Sequence, residues 1–139
     1  MELRQAASVI VGRDGPDGLE LLVMERAISH RFLPGYVAFP GGAVDDEDAD
    51  LAARWFGDAA KAARACGVRE LVEECGLAVT AEGVRESVSL DVVEAAPPRA
   101  TQLAEIAHWI APEDVPVRFD ARYYAVAAAS DLEPKPDGN

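Results

Sequence analysis

Cysteine, histidine, methionine and tryptophan occur only twice each in these 139 residues. With Cys66 and Cys75 alone, and no His or Cys at zinc-like spacing around them, the chain can build neither a disulfide scaffold nor a structural zinc site, and both read as reduced, half-buried thiols. His30 and His108 lack the Ser, Cys or Asp partner pattern of a nucleophilic centre and read as structural imidazoles. Positive charge is also scarce: 13 Lys and Arg against 25 Asp and Glu leave a net charge of −12. That balance argues against a nucleic-acid partner or an anionic membrane, since phosphate contacts need clustered cations. A polyanionic small molecule would need a metal ion or local arginines to enter, although acidity also serves plain solubility. No apolar run approaches the roughly 20 residues of a membrane span, and residues 1–10 lack the layout of a secretory signal, so the expected location is cytoplasmic.

Half of the residues are apolar, enough for a core without staples. The expected organisation is one domain over residues 1–130, then a polar, proline-rich loop or disordered tail over 131–139. Residues 7–11 and 19–25 are β-prone and flank a turn-forming segment, which predicts a hairpin, with a third strand at 36–39. Pro40-Gly41-Gly42 is expected to end that strand, and Asp45-Asp46-Glu47-Asp48 to form a loop before a short helix at 49–56. Asp58 can cap a longer helix that runs to Cys75 and stops at Gly76. Gly67 inside it costs about 1 kcal/mol relative to Ala, which points to close packing or weaker local order. Residues 84–93, 106–110 and 122–129 are further strand candidates.

At about 100° per residue, Val68, Leu71, Val72 and Cys75 share one face of the long helix, and Glu70, Glu73 and Glu74 share the other. Such carboxylates repel one another, and a divalent cation that prefers oxygen ligands would relieve the repulsion. The alternative is a solvated acidic face on which Arg69 pairs with Glu73.

Arg69-Glu70-Leu71-Val72-Glu73-Glu74-Cys75-Gly76-Leu77 resembles the second half of the Nudix box. Phe39-Pro40-Gly41-Gly42 with Asp45 resembles the loop that opens it, and Asp48 stands where that family usually has a glutamate. Twenty residues separate Asp48 from Arg69 where the usual box has seven, an insertion of thirteen that by resemblance holds an extra helix containing Trp55 and Phe56. A similar interrupted box occurs in the coenzyme A diphosphatase branch, and residues 22–42 resemble that branch's signature. Arg26, Arg31, Gly35, the Val37-Ala38-Phe39 run and Asp45 fall in register with it, whereas Glu25, Ala27 and His30 depart.

The resemblance implies an α/β Nudix sandwich, a mixed sheet between helices, and an Mg²⁺-dependent (alternatively Mn²⁺-dependent) diphosphatase acting on a nucleotide. It implies metal ligation by Glu73, Glu74 and the Gly41 carbonyl, with Glu70 as ligand or general base and Arg69 orienting the glutamates. Gly42, Asp45, Asp48 and Gly76 would shape the box, with Asp48 pairing Arg69. Arg26 and Arg31 would bind the phosphates of coenzyme A, or else balance local acids. The rival reading is a catalytically silent domain that binds a nucleotide or a partner protein. The family usually adds a strand and a closing helix after such a tail, so the expectation is an exposed sheet edge and apolar face, covered in a homodimer or left as a source of poor stability.

Overall fold

The structure, a computed structural model, describes residues 3–25, 37–110 and 118–134. β1 (Leu3–Gly15) and β2 (Gly18–Leu21) form the expected hairpin, closed by Pro16-Asp17, with Gly18 at a φ of 126° that side-chain-bearing residues resist. β3 (Met24–Glu25) pairs with β4 (Val37–Ala38) as a separate two-stranded ribbon.

The main sheet has five strands and is mixed. β1 runs parallel to β9 (Arg118–Ala127), β9 runs antiparallel to β8 (Ala104–Ile110), and β2 and β5 (Gly41–Ala43) share the other edge of β1. β5 corrects the expectation that Pro40-Gly41-Gly42 merely ends a strand. Glycine is poor in strands by propensity, but here only a bare backbone fits: a Cβ on Gly41 would stand 2.2 Å from the Ala7 carbonyl oxygen.

α1 (Asp46–Phe56) begins earlier than expected, so the acidic stretch is its first turn rather than a loop. Asp45 caps it, with Asp48 closing a reciprocal box, and carboxylates favour the positive end of a helix dipole. Gly57 ends it in the left-handed conformation. The Asp58 carboxylate accepts from the Ala60 amide, but what it starts is a 3-10 turn, Ala59–Lys61, from which α2 (Ala62–Cys75) continues to its left-handed stop at Gly76.

Residues 84–93 are not one strand. β6 (Leu77–Thr80), which the sequence reading lacked, pairs with β7 (Gly83–Glu86) across a turn held by the Thr80 hydroxyl. Beyond β7, the Ser87 and Ser89 hydroxyls bond to nearby backbone and divert the chain into α3 (Asp91–Ala95), the local competition through which serine breaks ladders. β9 starts earlier than the predicted 122–129 because Arg118-Phe119-Asp120 pairs along β1.

α2 packs on the face of β1 and β9 that presents Ala7, Val9, Val11, Tyr124 and Val126, and its Val68, Leu71, Val72 and Cys75 are buried against it. Each such aliphatic side chain contributes about 1.5–3 kcal/mol on burial. A Cβ on Gly67 would lie 2.8 Å from Val9 Cγ2, so that glycine marks close packing of helix on sheet. Neither cysteine is in a disulfide, and both are buried rather than half-buried. Residues 131–134 carry no helix or strand and lie back on the hairpin, where Arg13 donates to the Leu132 carbonyl at 2.6 Å. No helix among the described residues is long and apolar enough to cross a membrane. All seven residues of β8, the edge strand opposite β5, are exposed, Ile106, Trp109 and Ile110 included.

Candidate active site

α2 places Arg69 at the centre of a ring of acids. Arg69 is buried, and its guanidinium donates from Nε and Nη2 to the two carboxylate oxygens of fully buried Asp48 at 2.8 and 2.9 Å. The aspartate thus makes the bidentate pairing expected of a glutamate at that position, while its Oδ2 also accepts from the Asp45 amide at 3.0 Å. One carboxylate ties the start of α1 to the middle of α2. The Asp48 hydrogen bonds hold the Arg69 proton far more firmly than usual, so this cation is permanent. Nη1 reaches Glu70 at 3.0 Å and Glu73 at 3.2 Å, and Asp45 and Glu47 lie at 3.5 Å. The Arg69–Glu73 pair of the solvated-face reading is therefore present, within a larger network.

β5 meets this network edge-on. The Val9 amide bonds to Pro40 and the Val44 amide to Gln5, so by antiparallel alternation Gly41 is a non-bonded pair with Ser8, and its N–H and C=O turn away from β1. The N–H donates to Glu74 Oε1 at 2.8 Å. At the next residue, a Cβ on Gly42 would lie 2.8 Å from Glu70 Oε1, so the absence of a side chain creates the space that the Glu70 carboxylate fills. Gly41, Gly42, Asp45, Asp48, Arg69, Glu70, Glu73 and Glu74 are brought together as the sequence pattern predicts; Gly76 acts a turn away, as the stop of α2. Arg26 and Arg31 lie outside the described residues, as does His30.

Burial, then repulsion from Glu74 and Glu73, outweighs Arg69 and pushes the Glu70 carboxyl up to about 7. Burial likewise raises the Cys66 thiol, which lies beside Asp48 and Arg69, so it is no nucleophile at neutral pH. Among the described residues no three His, Cys, Asp or Glu side chains converge as a ready-made metal cage. The donor set nevertheless fits a hard cation: oxygen ligands only, one of them seated in the cradle that Gly42 leaves open, all mutually repelling.

The sequence reading did not anticipate a cleft on the opposite face of the sheet. Its volume is about 600 Å³, and its lining includes Arg4, Ser8, Gly41, Trp109, Phe119 and Tyr123. The available signal was the alternation of Phe119, Ala121 and Tyr123, which sets those residues on the face away from buried Tyr124. His108 pairs with Asp120 on the β8–β9 ladder, an Asp partner that the sequence pattern did not reveal.

A mixed sheet backed by a glutamate-bearing helix, with a glycine strand at the helix's acidic face, is the Nudix fold. A crystal structure of a NUDIX hydrolase from Alicyclobacillus acidocaldarius superposes with a TM-score of 0.76 at 28% identity, covering 99% of this chain and 75% of that one. A Caenorhabditis elegans Ap4A hydrolase shares the fold, with a TM-score of 0.54 at 13% identity over 96% of this chain and 72% of that one. Nudix hydrolase 7 of C. elegans is 34% identical over 86 residues, 62% of this chain and 26% of that protein, so the chain spans about a quarter of that relative's length. No protein-family model matches the chain. The chain is thus similar to Nudix hydrolases in sequence over part of its length and in fold over nearly all of it.

Proposed function

We propose that this chain hydrolyses the diphosphate linkage of a nucleoside diphosphate derivative with the help of Mg²⁺. The observation that carries the reading is the convergence of Glu70 and Glu74 on Gly42 and Gly41, with the Glu70 carboxyl pushed up to about 7. Glu70, Glu73, Glu74 and the Gly41 carbonyl would hold the cation, which when bound neutralises the diphosphate and polarises the attacking water. Glu70 would serve either as one of these ligands or, instead, as the general base that takes the water's proton; its raised value of about 7 belongs to the metal-free chain. Arg69, clamped by Asp48, positions Glu70 and Glu73 and does not itself touch the reacting atoms. Coenzyme A is the finer substrate reading. It is supported by the resemblance of residues 22–42, with Arg26 and Arg31 pairing its phosphates.

A second reading, a Nudix domain that binds without turnover, draws on the ties of Glu73 to Arg69 and of Glu74 to the Gly41 amide. Product release from coenzyme A, ADP-ribose and a dinucleotide, measured with Mg²⁺ and with chelator, separates the two. For the hydrolase, turnover needs Mg²⁺ and falls roughly a hundredfold or more in Glu74→Gln, whose melting temperature shows it folded. Equal turnover in that variant, or in chelator, would refute the assignment. Faster cleavage of ADP-ribose or the dinucleotide than of coenzyme A would refute only the finer claim.

A further inference from the structure

The row of α2 that faces the glycine strand holds three residues, of which the proposed chemistry uses two. Cys66, Glu70 and Glu74 stand at i, i+4 and i+8, one line along the helix, and meet β5 in reverse order. Cys66 Sγ lies 3.5 Å from the Ala43 carbonyl oxygen and 3.6 Å from that of Gly42. The Glu70 carboxylate fills the space beside Gly42, and Glu74 accepts the Gly41 amide at 2.8 Å. Helix and strand thus run in opposite directions and touch residue by residue.

Among the described residues β5 pairs with β1 alone. Like Gly41, Ala43 is a non-bonded position of that antiparallel ladder, opposite Ala6, so its carbonyl turns outward to α2. A carbonyl turned toward a packed helix needs a donor, and the thiol supplies one. Cys66 is wholly buried, and burial keeps its proton in place at neutral pH. Arg69 Nη2 donates to the same sulfur at 3.8 Å. A chain of contacts therefore runs from the Asp48–Arg69 clamp through the sulfur to the backbone of β5.

We infer that Cys66 is a positioning residue for the carboxylate site: its thiol, donating to the Ala43 carbonyl, sets β5 against α2 so that Gly41 and Gly42 meet Glu74 and Glu70. This rests on the proposed hydrolase reading and adds to it the group that places the glycine strand. Cys66 acts through that strand and not on the reacting atoms. A thiol suits the position because it donates without adding charge. A carboxylate there would deepen the surplus around Glu70, and a methyl group would leave the Ala43 carbonyl without this donor.

Amide hydrogen exchange of the whole chain in chelator, read by nuclear magnetic resonance, tests this on Cys66→Ala and Cys66→Ser, which leave nearly equal space and differ in the donor. In Cys66→Ala the Gly41 amide should exchange roughly tenfold faster, a larger change than at the Val68 and Leu71 amides of α2, with Cys66→Ser closer to the parent. Mg²⁺ affinity by calorimetry should fall by about the same factor in Cys66→Ala and by less in Cys66→Ser. Gly41 exchange that ignores Cys66, that is equal in the two variants, or that rises no more than the helix amides would overturn the inference and leave Cys66 as packing. So would Mg²⁺ affinity in Cys66→Ala equal to the parent's. Faster Gly41 exchange in Cys66→Ala, in a chain whose parent turns over no diphosphate, would sustain the positioning of the strand and defeat the hydrolase. Mg²⁺-dependent turnover with Gly41 exchange indifferent to Cys66 would do the reverse.

Discussion

Two sets of charge meet around Arg69 of α2 and have opposite fates. Arg69 and Asp48 are matched: both are buried, their forks align, and the pair joins α2 to α1. Glu70, Glu73 and Glu74 exceed what one guanidinium can balance, and the surplus faces the glycine edge of β5. Matched charge serves the architecture here. Surplus charge is held at an energetic cost, which the raised pKa of Glu70 records.

The largest test of this contrast removes one half of the matched pair. Asp48→Ala leaves the Arg69 guanidinium buried without its principal partner and frees the Asp45 amide, so chemical denaturation should show a loss of about 3–5 kcal/mol. A loss under about 1 kcal/mol would mean the other acids around Arg69 replace Asp48, and the division into matched and surplus charge would collapse.

Next is a change that should stabilise. Glu70 binds its proton with a pKa of about 7 in the fold against an ordinary 4.5. The folded state therefore takes up the extra proton, and this contribution to stability is full below about pH 4.5 and lost as pH rises through 7. Without metal, Glu70→Gln should be more stable than the parent at pH 8 by on the order of 1–3 kcal/mol, with the gap closing toward pH 4.5. Melting curves across that range check it; a variant less stable at pH 8 would show that the ion pair with Arg69 outweighs the crowding. The smallest effect is expected at Glu73, whose side chain is 53% exposed. Glu73→Gln should shift stability by no more than about 0.5 kcal/mol, because an exposed pair with Arg69 is weak. A larger loss by the same melts would place Glu73 among the matched charges.

Much of the site was legible because its spacing is local. The Arg69 to Gly76 pattern fixes which carboxylates share a face of one helix, whereas the Asp45–Asp48 cap reads as a loop in the sequence. Most of what sequence reasoning missed depends on pairing between distant residues. β5 exists because Gly41 and Gly42 fit where no side chain can, a fact that lies in Ala7 and Glu70 rather than in glycine's propensity. The strand expected at 84–93 failed because Ser87 and Ser89 supply local bonds that compete with a ladder. The cleft lined by Trp109, Phe119 and Tyr123 emerges only when β1, β5, β8 and β9 are set in register. Between Asp48 and Arg69 the chain runs through the rest of α1, whose inward face, Leu51, Ala52 and Trp55, is buried.

Calorimetric titration of Mg²⁺ into the parent chain and into Glu70→Gln/Glu74→Gln at pH 8 tests the central claim most directly. The account predicts that the parent binds Mg²⁺ and the double variant loses that binding while melting in chelator no earlier than the parent, because the Asp48–Arg69 clamp is untouched. Mg²⁺ affinity equal in the two proteins would contradict it.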